Sequence, residues 1–324
     1  MTYADDGKYE TAIDYLKKCI AVSAPDESQV RKAYALLVNA LFQSDLFEEA
    51  WGYCVQGLNH YPSDKELLFR QAMLHHHFGR LYESEQTYLR IINETEERHF
   101  TSIDVGLTGY KSRHNLALVY DDQKEYARAE EQWRTVIEMD DTNNTAWRGL
   151  GETLLKAEKY EEAEKLILQM SKDKEMQSNS NFLMSRMFEL QGKFDSAMQT
   201  LQTCMDGDSD NLEPLRALCR VAFEHSTPQE SLPLLNDLAK LSPDDASVFH
   251  NLGTTHLQMK QYQQAIAAYQ RSLDLRPLST ETWHLLGHAY FNLGDLPNAQ
   301  NAWREVLHKN PSHTEASQLL NSTI

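Results

Sequence analysis

From Tyr110 to His313 a small residue returns every 34 positions, at Ala129, Ala163, Ala197, Ser231, Ala265 and Ala299. Its company returns with it: Leu252-Gly253, Tyr262, Tyr269 and Pro277 are followed 34 residues on by Leu286-Gly287, Leu296, Trp303 and Pro311. A fixed period of this length marks a repeat array, in which each unit buries its apolar face against the next. Inside each unit the apolar residues recur at three- and four-residue intervals in two blocks. A short polar break such as Met259-Lys260-Gln261 or Leu293-Gly294-Asp295 separates them. The pattern predicts two amphipathic helices joined by a tight turn, so the expected fold is all-α, a stack of helical hairpins. Helices of about a dozen residues are marginal alone, and their stability has to come from that stacking.

Counted from Tyr110, position eight of each unit carries Ala117, Gly151, Ser185, Cys219, Gly253 and Gly287, and position 24 carries Trp133, Ile167, Leu201, Leu235, Tyr269 and Trp303. Held jointly at this period, these residues resemble the tetratricopeptide repeat (TPR) family over nearly the whole chain. The resemblance implies a right-handed superhelix, an α-solenoid of antiparallel hairpins, each a helix A, a turn and a helix B. Small residues such as Gly253 and Ala265 are expected where helices A and B cross, and a larger side chain there would overpack the contact at about 1–3 kcal/mol.

Because each repeat contacts only its neighbours, 324 residues need not divide into two domains, and a single elongated solenoid over 1–324 is expected. Met1 falls inside a helix A, so 1–26 reads as an incomplete first repeat, able to self-associate through the face of Ile13, Leu16 and Ile20. Full repeats follow at 31–64 and 65–92. Between Ser84 and Ala129 the interval is 45 residues, which places an insertion of 11 within 93–109. Six contiguous units fill 110–313, where Pro228 and Pro233 straddle the start of a helix B, and 314–324 reads as a short cap with Leu319 and Leu320 on the last repeat.

The formal charge of -17, from 31 Lys and Arg against 48 Asp and Glu, disfavours nucleic acid and anionic membrane surfaces as partners. Many of the acids open B helices, as Glu48-Glu49, Glu161-Glu162, Asp195 and Glu230 do, where they complement the helix dipole. The four cysteines fall on apolar repeat positions without a CxxC pair and read as reduced core thiols. With no basic apolar leader and no run of bilayer-spanning length, no membrane insertion and a cytoplasmic location are the expectations.

In the family the concave groove is lined from the A helices, by positions two, five, nine, twelve and thirteen. Transferred to this chain, those positions select Lys111, His114, Arg148, Lys156, Arg186, Arg216, Arg220, His250, His284 and His288, with Phe182 and Phe223 between them. One reading makes the arginines forks for a carboxylate-bearing or phosphorylated segment. The other makes them intrahelical ion pairs, Arg148 with Glu152, Arg186 with Glu189, and Arg216 and Arg220 with Glu213 and Glu224. The tract His75-His76-His77 cannot converge on one ion, since successive helical residues point about 100° apart. Glu281, His284, His288 and His250 approach a three-ligand metal set, but nothing in the sequence supplies a second shell, and no metal or other cofactor is expected. Asp206, Asp208 and Asp210 alternate like a calcium loop but lack its Gly and Glu, and read as a solvated turn. There is no GxSxG, P-loop, GxGxxG or HExxH, so these residues are expected not to form an enzyme.

The stretch 99–155, with the insertion and the run Arg113 to Ala117, is similar to the TPR tails of some bacterial family-2 type glycosyltransferases. That resemblance implies the TPR portion of a larger chain carrying such a catalytic domain upstream. A free-standing cytoplasmic adaptor, or a co-chaperone-like protein, is the alternative; both bind a protein or peptide segment in the groove.

Overall fold

A computed structural model describes residues 9–24, 27–94, 105–107, 109–205 and 211–322. The stub at 1–6, most of the 93–109 insertion and Asp206, Asp208 and Asp210 lie outside the described residues. The chain divides into two compact units, 1–176 and 177–324. All regular elements among the described residues are helical.

The first unit holds α1 (Tyr9–Val22) and four hairpins: α2 (Ser28–Gln43) with α3 (Phe47–His60), α4 (Lys65–His77) with α5 (Leu81–Asn93), α6 (Tyr110–Asp122) with α7 (Tyr126–Met139), and α8 (Asn144–Lys156) with α9 (Tyr160–Met170). The second holds α10 (Gln177–Leu190) with α11 (Phe194–Met205), α12 (Glu213–His225) with α13 (Pro228–Leu241), α14 (Ala246–Gln258) with α15 (Tyr262–Leu275), α16 (Thr280–Leu293) with α17 (Leu296–Lys309), and α18 (Thr314–Ser322). Within each unit every helix packs on the next in chain order, and some successive A helices also touch, as α2 with α4 and α14 with α16. α2 begins at Ser28, three residues ahead of the expected start at Arg31.

The turn from A to B is built the same way in seven of the eight hairpins. One residue, Asp45, Gly79, Lys124, Glu158, Gly192, Lys260 or Gly294, has positive φ, and the next N–H bonds back to a carbonyl five residues earlier, as Glu125 N to Tyr120 O at 2.8 Å and Gln261 N to His256 O at 2.8 Å. This left-handed close satisfies carbonyls that a helix end would leave bare. The α12–α13 turn departs from it: Pro228 occupies the first turn, and the Glu230 carboxylate accepts from Thr227 N at 3.0 Å and Thr227 Oγ1 at 2.9 Å. α13 then runs on through Pro233 to Leu241.

The two periodic series of the sequence meet in the core. Ala129, Ala163, Ala197, Ala265 and Ala299 are each 0% exposed, and Trp133, Ile167, Leu201, Leu235, Tyr269 and Trp303 are all buried. A Cβ added at Gly253 would lie 2.5 Å from the Tyr269 ring, and one at Gly287 would collide with Trp303. Where serine replaces alanine its hydroxyl is satisfied: Ser84 donates to Ala72 O at 2.8 Å. Of the cysteines, Cys54, Cys204 and Cys219 are buried and all four are free; burial pushes the Cys54 and Cys219 thiols up to about 12.

The first helix is better covered than the sequence suggests. Ile13 is buried and Leu16 and Ile20 pack on the cluster built by α2 and α3, so the apolar face of α1 has a partner on that side. At α18 the buried contact is Ala316, with Leu319 packed beside it against Trp303 and Val306. The insertion returns to the core through Leu107, in the short 3-10 turn Val105–Leu107; Leu107 packs with Leu116 and Tyr120, and its carbonyl accepts from Ser112 Oγ.

Candidate binding surface

The A helices α6 and α8 of the first unit, with Trp133 of α7, line an open, shallow cavity of about 230 Å³ bordered by His114, Leu118, Asp121, Trp133, Thr145, Arg148, Gly149, Glu152 and Lys156. Trp133, from α7, closes its floor because Gly149 has no side chain; a Cβ there would lie 2.6 Å from the indole. A buried chain of polar contacts fixes the ring. Trp133 Nε1 donates to Thr153 Oγ1 at 3.1 Å, Thr153 donates to Asp121 Oδ1 at 2.9 Å, and Lys156 Nζ donates to Asp121 Oδ2 at 2.9 Å. The His114 ring stands edge-on to Trp133 at 4.8 Å, and burial holds its pKa below the ordinary histidine value. His114, Arg148 and Lys156 are thus brought together. Lys111, one turn earlier on α6, lies over the ring of its neighbour Tyr110 and does not line the cavity. Gly149 stands two residues before the small position eight, Gly151, and the 34-residue period does not mark it; the second glycine is the one signal of it in the sequence.

In the second unit Arg186, Arg216 and Arg220 are committed to acids. Arg186 reaches Glu189 at 2.9 Å along α10, and Arg220 of α12 reaches the same Glu189 at 2.7 Å, with Glu224 at 3.6 Å. Arg216 pairs with Asp245 at the start of α14 and donates to Ser242 Oγ at 2.8 Å. The intrahelical pairs expected for Arg186 and Arg220 are present, but the shorter contacts of Arg220 and Arg216 run to the neighbouring repeat. The same link joins α2 to α4 in the first unit, where Lys32 meets Glu66 at 2.6 Å. Phe182 and Phe223 are half-buried and pack on core clusters, Phe182 beside Leu201 and Phe223 beside Cys219 and Leu235.

Burial alone would push Asp245 up, but the hydrogen bond from Arg216, the Ser247 N–H at 3.0 Å and the Arg216 charge outweigh it and hold its carboxyl below the usual range. A carboxyl with a depressed folded pKa stabilises fully above its unfolded value of about 3.9 and loses that contribution as pH falls through the folded value. Arg216→Met is therefore expected to flatten the acid limb of the stability curve below about pH 4, read by circular dichroism during acid titration. Identical limbs in wild type and variant would remove Asp245 from the account.

The predicted histidine set separates. His250 Nδ1 lies 2.9 Å from Thr282 Oγ1, and Glu281 is 4.0 Å from His250, away from the other two rings. His284 and His288 approach each other at 3.1 Å between their Nε2 atoms, and the acid facing both is Glu315 of α18, at 3.4 Å and 3.9 Å. The tract on α4 diverges as its helical spacing requires: His75 meets Trp51, His76 pairs with Asp122 at 2.7 Å, and His77 stacks on Phe47 at 3.6 Å.

Among the described residues no helix is long and apolar enough to cross a membrane. Against curated proteins, the chain is 30% identical over 180 residues to tetratricopeptide repeat protein 21A of Mus musculus, covering 53% of this chain and 12% of that one. It is 25% identical over 134 residues to the BBSome complex member BBS4 of Mus musculus, covering 41% of this chain and 26% of that one. The chain thus spans only an eighth to a quarter of these relatives' length, and both are described by repeat or by complex. Neither is described as a glycosyltransferase. Among solved structures, MamA 41-end from Desulfovibrio magneticus RS-1 is similar at a TM-score of 0.47 and 17% identity, over 53% of this chain and 97% of that chain. The APC/C hetero-tetramer Cut9-Hcn1 is similar at 0.49 and 17%, over 100% and 60%. Family models described as tetratricopeptide repeat match residues 1–26, 114–175, 246–277 and 280–313; the chain carries tetratricopeptide repeats.

Proposed function

We propose that this chain is a non-enzymatic protein-interaction scaffold that holds an extended segment of a partner protein against the A helices of its first unit. The observation that carries the reading is the cavity between α6 and α8, with an apolar floor at Trp133 and a rim of Leu118, Arg148, Glu152 and Lys156. Its shape suits one apolar anchor of a peptide, flanked by polar groups. Arg148 and Lys156 are matched by Glu152 and Asp121 around the rim, so the segment is amphipathic rather than strongly anionic. Arg186, Arg216 and Arg220 each have an acid partner; a ligand carboxylate would have to displace Glu189 or Asp245, and we assign Arg216 and Arg220 to joining successive repeats instead. A relative named as a member of a complex supports a role in assembly.

Selection of random linear peptides on the full chain tests this. Selected peptides are expected to lose about tenfold or more in affinity, about 1.4 kcal/mol, when Leu118 and Arg148, exposed and half-exposed respectively, are both replaced by Glu. Unchanged affinity in that variant would move the site elsewhere.

A further inference from the structure

Around His284, His288 and Glu315 the second unit brings three metal-ligating groups to one point, from two helices that the sequence does not join. Each offers one ligand atom, and these atoms all lie within 4.8 Å of one another. A zinc ion bound tetrahedrally at about 2.0–2.2 Å from N and O ligands sets those ligand atoms about 3.3 Å apart. The two Nε2 atoms are 3.1 Å apart, and the Glu315 carboxylate turns Oε2 to His284 Nε2 at 3.4 Å and Oε1 to His288 Nε2 at 3.9 Å. With one oxygen as ligand the three atoms span up to 4.8 Å, and a rotation of the exposed Glu315 side chain brings that oxygen to the required edge. We infer that His284, His288 and Glu315 form a three-ligand site for a divalent zinc-class ion, with water in the fourth position, that ties α18 to α16.

The surroundings are suited to it. The two side chains on α16 are 12% and 27% exposed and four residues apart, so the helix presents both on one face, while the Glu315 side chain is 62% exposed and leaves the ion a way in. The 3.1 Å approach of the two Nε2 atoms is a hydrogen bond in which one ring donates, and an ion between them would replace it, each ring then holding its proton on Nδ1. His313 lies 4.9 Å from the His284 ring but is not a ligand. Its Nδ1 accepts from Ala316 N at 3.2 Å and is taken by that bond. That bond fixes the first turn of α18, and the packing of Ala316 beside Trp303 fixes its seat, so Glu315 is delivered to the histidines by the fold itself. His284 Nδ1 is buried without a hydrogen-bond partner. A ligating histidine ordinarily donates from that atom, and the missing partner weakens the site by about 10–100-fold.

The test is zinc titration of the full, untagged chain against a chromophoric chelator, with amide exchange of α18 as a second readout. One zinc per chain is expected. Both His288→Ala and Glu315→Gln should weaken it about tenfold or more, whereas His250→Ala leaves it unchanged. Zinc should slow exchange in residues 314–322 of the wild type and not in Glu315→Gln, whose exposed position spares the fold. Absence of stoichiometric binding, or binding unchanged in either ligand variant, overturns the site.

Discussion

Replacing Gly287 by leucine is expected to open the α16–α17 hairpin while residues 9–176 keep their protection. Any side chain at 287 projects into the Trp303 indole; an added Cβ would stand 2.6 Å from its Cδ1. The ring cannot swing aside, being 0% exposed and packed with Ala299, Val306 and Ala316. Overpacking of this kind costs about 1–3 kcal/mol, and leucine's extra atoms place it at the upper end. In an array stabilised by nearest-neighbour contacts, the loss stays local. Hydrogen exchange resolved by segment should show α16, α17 and α18 losing protection first. Protection that fell evenly along the chain, or not at all, would contradict the packing described for this pair.

Trp133→Ala is expected to cost about 3–5 kcal/mol, the range for truncating a buried tryptophan. Trp133 is 1% exposed and its Nε1 holds Thr153 in the polar chain to Asp121 and Lys156. The indole also occupies the space that Gly149 leaves open, which gives the prediction a second, sharper form. Gly149→Ala should destabilise the wild type through a clash with the ring, yet be neutral or stabilising once Trp133 is alanine. The two changes should therefore couple in a double-mutant cycle of urea unfolding. Additive effects would mean that the ring does not rest on the glycine.

The hairpins were legible because packing acts at the repeat period: Ala129 through Ala299 and Trp133 through Trp303 are spaced by the geometry that buries them. The left-handed turn residues were only partly legible. Gly79 and Gly294 announce themselves, whereas Lys124, Glu158 and Lys260 take the same positive φ without glycine, because the surrounding helices enforce it. Candidate sites were less legible, for a specific reason. Intrahelical spacing is visible in sequence, so Arg186 with Glu189 and His284 with His288 were found. Partners one repeat away are not, so Glu189 under Arg220, Asp245 under Arg216 and Glu315 beside the histidines emerged only from the stacking of A helices. Glu281 lies one turn before His284 on the same helix, yet its side chain faces His250.

The scaffold reading is tested most directly by one comparison of peptide affinities. Peptides selected on the full chain are titrated against two double variants, Leu118→Glu with Arg148→Glu, and Arg216→Glu with Arg220→Glu. The account predicts a loss of about tenfold or more for the first pair and little change for the second, whose guanidinium groups already serve Asp245 and Glu189. Loss confined to the second pair would contradict it, placing the ligand on the arginines of α12 rather than in the cavity of α6 and α8.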